Sequence, residues 1–146
     1  MKQTLLLLLL AAAACNPYKA LRSDQFAYLS AQGNNGVALR VPKGYSERQD
    51  AADSLGRQVR LYRYRDGSFF YVAYAPQGGD IQPIDRDDHV PQLSPVGDTL
   101  YKQQVRNRRW WREDKKGLLR AGYILVPEGD KVALFDSAVN FVRRVR

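Results

Sequence analysis

The chain has 146 residues, 23 Lys+Arg against 15 Asp+Glu, and a single cysteine. That length suits one domain with its own core and is short for two. One cysteine excludes a disulfide framework, so folding must rest on packing, and nine Tyr, five Phe and two Trp favour strands over helices.

Lys2 is followed by an unbroken apolar run over residues 5–14. A membrane-spanning helix needs roughly 20 apolar residues, so this run is too short to cross a bilayer. It fits the hydrophobic region of a secretory signal, with small residues leading to a cleavage site. Ala12-Ala13-Ala14-Cys15 resembles the lipobox of bacterial lipoproteins, with Ala12 where that family usually carries Leu. The resemblance covers residues 1–15 only. It implies removal of residues 1–14 as a signal peptide and a covalent lipid on Cys15, including acylation that would take up palmitate. No other cofactor is expected. It also implies a place in the bacterial cell envelope, anchored to the membrane by lipid. Asn16, rather than Asp, follows the cysteine, which favours the outer membrane over the inner. An ordinary signal peptide would instead leave Cys15 as a free thiol or an intermolecular disulfide partner.

Residues 15–30 read as the lipidated N-terminus and a tether, and residues 31–146 as a single β-rich domain. The stretch from Ser23 to Gly33 is either a short helix or a first strand. Residues 37–41 read as a strand ended by Pro42 and Gly44, and residues 46–58 as a polar connection. The clearest local pattern is a hairpin around Asp66-Gly67. A two-residue loop would place Tyr62, Tyr64, Phe69 and Tyr71 on one face and leave Leu61, Val72 and Val59 on the other, as the core side. The aromatic face is then either a binding platform or the underside of a second layer.

Residues 76–99 are loop-rich. Residues 99–105 read as a strand, and a second hairpin turns at Gly117. Residues 131–135 read as a further strand. In the tail, Asp136 can cap a helix, and Ala138, Phe141, Val142 and Val145 have helical spacing. The whole pattern predicts a mostly β protein, an antiparallel β-sandwich or small barrel built from hairpins, with a short C-terminal helix.

Chemistry is sparse. Asp85, Asp87 and His89 lie in the only acidic cluster, but Val90 and Val96 stand where an EF-hand needs Gly and Glu. No metal site is expected. Any Ser-His-Asp triad would have to use His89, the only histidine. Glu47, Glu113 and Glu128 have no spacing that suggests a glycosidase pair. No catalytic residue is assigned, and the expectation is a noncatalytic protein with a binding or assembly role.

The strongest binding candidate is the segment Arg106, Arg108, Arg109, Trp110, Trp111 and Arg112. On a strand the two Trp must point to opposite faces. One can be core while the other stands among arginines, or both can be buried. Residues 99–146 carry twelve Lys+Arg against five Asp+Glu. Such a basic third suits an acidic envelope protein or an anionic glycan or lipid. Nucleic acid is disfavoured because an exported chain rarely meets it. An inhibitor or immunity lipoprotein and a small envelope-glycan hydrolase are the rival readings.

Overall fold

The computed structural model describes residues 17–82, 90–94 and 97–144. Cys15 and the 85–89 cluster lie outside the described residues. β1 (Leu21–Ser30) and β2 (Gly33–Pro42) pair antiparallel along their whole length, from Leu21 opposite Pro42 to Ser30 opposite Gly33. The stretch from Ser23 is thus strand, not helix. It also belongs to the domain, because Leu21, Phe26 and Tyr28 enter the core. Gln58 holds the end of β1 as a strand neighbour would. Its Nε2 donates to the Leu29 carbonyl at 2.7 Å, and its Oε1 accepts from the Leu29 N–H at 2.9 Å.

β3 (Tyr45–Ala52) forms where a polar connection was expected. It is the edge of the large sheet, and almost every residue in it is exposed, so it shows no alternation of apolar and polar residues. Its charges suit an edge that must not pair with another chain. Arg60 of β4 (Gln58–Tyr64) grips Asp50 from across the ladder with bonds of 2.6 and 2.7 Å.

The hairpin of β4 and β5 (Phe69–Tyr74) is present, but its register differs by one residue from a two-residue loop. Arg63 faces Phe69, Tyr62 faces Phe70, and Leu61 faces Tyr71. The Gly67 N–H donates to the Tyr64 carbonyl, the Tyr64 N–H donates to the Ser68 carbonyl, and only Gly67, at φ +81°, adopts positive φ. Asp66 keeps an ordinary φ, so the type I′ turn that needs two such residues does not form. A one-residue slip exchanges the faces. The expected aromatic face is therefore divided. Tyr62 and Tyr64 join Phe70, Val72 and Tyr74 in the core, whereas Phe69 and Tyr71 lie on the opposite side with Leu61.

β6 (Gln92–Leu93), β7 (Thr99–Val105), β8 (Arg109–Lys116) and β9 (Leu119–Pro127) complete a seven-stranded sheet of order β3-β4-β5-β9-β8-β7-β6. β8 and β9 turn through Gly117-Leu118, with Gly117 at φ +65°. Residues 131–135 are not strand. They lie in α1 (Asp130–Phe141), where Phe135, Ala138 and Val139 are buried at helical spacing and Asp130 suits the positive end of the helix. β10 (Arg143–Arg144) then pairs with β2. One core is shared by β1, β2, α1 and the inner face of the large sheet. Among the described residues the architecture is two antiparallel sheets and a helix, with no closed barrel.

Candidate functional site

Alternation along β8 divides the arginine and tryptophan segment between two environments. Trp110 points inward and packs against the core, with the Lys102 ammonium 5.4 Å from its ring centre. Arg112 points the same way and is only 4 % exposed. Its guanidinium grips Asp114 with two bonds of 2.7 Å and reaches Asp136 at 2.9 Å and Asn140 at 2.7 Å, both on α1. The Tyr123 hydroxyl and Lys102 also donate to Asp136, at 2.9 and 2.7 Å. Burial opposes the charge on Arg112, but Asp114 and Asp136 outweigh it and raise its pKa. Arg112 therefore fastens the helix to the sheet. It does not belong to an outer contact surface, and neither does Trp110.

Trp111 points to the outer face and is 5 % exposed. Opposite it, β9 carries a bulge. Trp110 faces Val126 and Arg112 faces Tyr123, so Ile124 and Leu125 together oppose Trp111. Leu125 takes φ +55° there. The loop from β7 to β8 is also irregular, with Asn107 at φ +60° and Arg108 at φ +54°. Arg109 ties these features together. Its Nη1 donates to the Asp66 carbonyl at 3.0 Å and to the Leu125 carbonyl at 2.7 Å.

These elements enclose a cleft of about 630 Å³. Val105, Trp111, Ile124 and Leu125 are its apolar lining, and Arg106 and Arg109 are its cations. Asp66 also lines it, but its carboxylate is occupied. Oδ1 accepts from the Ser68 N–H at 3.0 Å and the Ser68 hydroxyl at 2.6 Å, and Oδ2 pairs with Lys131. Burial alone would raise the Asp66 carboxyl, but Lys131 and Ser68 bring it down to about 2. Arg108 lies on the loop beside the cleft, 3.9 Å from Glu128.

Of the six residues singled out by sequence, the cleft thus unites Arg106, Arg109 and Trp111. Val105, Ile124 and Leu125 were not foreseen. Two of them are placed by a bulge, and a bulge leaves no mark in the hydrophobic pattern.

A second feature of the outer face is Glu113, which is completely buried. Its Oε2 accepts from the Tyr71 hydroxyl at 2.6 Å and the Ile81 N–H at 3.1 Å, and its Oε1 has no hydrogen bond among the described residues. Gly122 makes room for this. A Cβ there would lie 2.5 Å from the Tyr71 hydroxyl oxygen and 2.2 Å from the Arg112 carbonyl oxygen. Burial raises the Glu113 carboxyl above its ordinary value. Glu47 and Glu128 lie on other elements, on β3 and beyond β9. Among the described residues no group of three His, Cys, Asp or Glu is placed to hold a metal, and no helix is long and apolar enough to cross a membrane. No family model, curated protein or solved structure matches this chain.

Proposed function

We propose that this chain is a noncatalytic, lipid-anchored protein of the bacterial envelope that holds a partner or ligand in the cleft between β7, β8 and β9. The observation that carries the binding role is where strain gathers. The non-glycine residues at positive φ among the described residues are Asn107, Arg108 and Leu125; Asn107 and Leu125 line this cleft, and Arg108 stands in the chain between two residues that do. For Arg108 and Leu125 such a conformation costs on the order of 1–3 kcal/mol and persists only where the surroundings impose it. Arg109 bonds the carbonyl of Leu125 in the bulge and that of Asp66 in the β4–β5 turn, which ties the two sides of the cleft together. The anchor rests on the run at 5–14 and on Cys15. One buried acyl chain gives only marginal attachment and two give a stable one.

Two measurements test this reading. Cells expressing the wild type should incorporate labelled palmitate into the protein, and cells expressing Cys15→Ala should not. Label in neither, or equally in both, would remove the anchor. Cross-linked capture from envelope membranes should fall at least about five-fold when Arg106 and Arg109 are both changed to Gln. The melting transition should persist, which separates lost binding from lost folding. Unchanged capture by a folded double variant would end the binding role of this cleft.

A further inference from the structure

The cleft combines two properties that together specify a kind of ligand. Its lining is apolar over Val105, Trp111, Ile124 and Leu125, and its volume of about 630 Å³ suits a small molecule rather than a flat protein surface. Its charge is cationic. Asp66 is the acid among the described lining residues, and Lys131, which is not in the lining, already neutralises it. Arg106 is exposed and makes no ion pair or hydrogen bond among the described residues. Arg109 uses one nitrogen on two carbonyls, which carry no net charge to offset its own. An apolar surface beside uncompensated guanidinium groups matches a molecule with a hydrocarbon body and an anionic head.

We infer that the cleft binds a single-chain anionic amphiphile, its chain lying along Val105, Ile124 and Leu125 beside the mostly buried Trp111 and its carboxylate or phosphate meeting Arg106 and Arg109. This rests on the binding role proposed above and names the ligand class for the same site. A neutral chain would gain the apolar contacts but leave the cations unmatched. A cationic chain would be repelled.

The test is calorimetric titration of the folded protein with decanoate, decyl phosphate and decanol, each below its aggregation concentration. Decanoate or decyl phosphate should bind at one site at least about ten-fold more tightly than decanol. Comparing the two anions shows which head the arginines prefer. Arg106→Gln should reduce anion binding by about five-fold and leave decanol unchanged. Val105→Trp should fill the cleft and abolish binding of all three. Should that variant misfold, Leu125→Asp serves instead, because Leu125 is 41 % exposed and Asp tolerates positive φ. It should abolish anion binding. Equal affinity for decanol and the anions would overturn the inference while leaving a binding cleft. Anion binding that survives both cleft variants would place the amphiphile elsewhere and overturn it too. If none of the three binds, the amphiphile is excluded, and the membrane capture experiment alone decides whether the cleft binds anything.

Discussion

Arg108 holds φ +54° while 85 % of its side chain is in solvent. Its one close charged neighbour among the described residues, Glu128, is exposed and 3.9 Å away, so the pair adds little. A residue with a Cβ is disfavoured in the left-handed region by about 1–2 kcal/mol, and glycine is not. Glycine loses about 0.5–1 kcal/mol more backbone freedom on folding, which offsets part of that gain. Arg108→Gly should therefore stabilise the domain by about 0.5–1 kcal/mol, read from the midpoint of urea unfolding. Loss of stability would mean that the Arg108 side chain makes a contact its exposure does not show. Asn107 needs no such relief, since Asn is among the residues that enter this region most readily. Leu125 is different again, because its side chain lines the cleft and its strain cannot be removed without altering the site.

α1 is fastened by charge as well as by its apolar stripe. Arg112 on β8 reaches Asp136 and Asn140 on the helix while holding the fully buried Asp114. Removing one member of a buried ion cluster leaves the others unmatched and costs about 3–5 kcal/mol. Arg112→Met should destabilise by that amount, and amide exchange in α1 should accelerate more than in β5 and β9. Pairing it with Asp114→Leu should recover part of the loss. Protection of α1 that stays unchanged in Arg112→Met would show that Phe135, Ala138 and Val139 suffice to dock the helix. The helix lies where the tail from Asp136 onward predicts it, but it begins at Asp130, and its first turns read as strand over residues 131–135. Val132 to Phe135 read as a β-prone run, and the buried positions of the helix fall on both sides of that run's end. The hairpins were legible because Asp66-Gly67 and Gly117 mark turns, and β7 falls on residues 99–105, where a strand was expected. The register of the first hairpin was not, since it depends on whether Asp66 adopts positive φ. β3 was missed because a strand exposed on both faces carries no pattern. For the cleft, the cations and Trp111 could be read from sequence, whereas the bulge that supplies half of the apolar lining could not.

For the molecule as a whole, the buried and paired carboxyls set opposing pH dependences. Asp66 lies at about 2 against an ordinary 3.8. Asp24 is lowered too, its burial outweighed by the Tyr62 hydroxyl, the Gln25 N–H and two arginines, and Asp50 is lowered by its bonds to Arg60. Carboxyls held below their unfolded values contribute stability that is present above about pH 4 and lost as pH falls through the folded values. For Asp66, a third exposed, that contribution is on the order of 1 kcal/mol after screening. Glu113 acts in the other sense. Its folded value lies above 4.5, so the folded state binds that proton more tightly than the unfolded chain does. Its stabilising effect is complete below 4.5 and is lost as pH rises through the folded value. Urea unfolding from pH 3 to 8 should therefore show a maximum in the mildly acidic range, with stability declining on both sides. Glu113→Gln cannot ionise, so it should remove the decline on the neutral side and leave the acid side as it is. Asp66→Asn should reduce the slope on the acid side, where Asp24 and Asp50 still contribute, and leave the neutral side as it is. The slope is the decisive readout, because the Gln amide introduces a donor of its own at the buried site and shifts stability equally at every pH. A neutral-side decline that persists in Glu113→Gln would mean that another group causes it and that the folded protein does not hold the Glu113 proton more tightly than the unfolded chain.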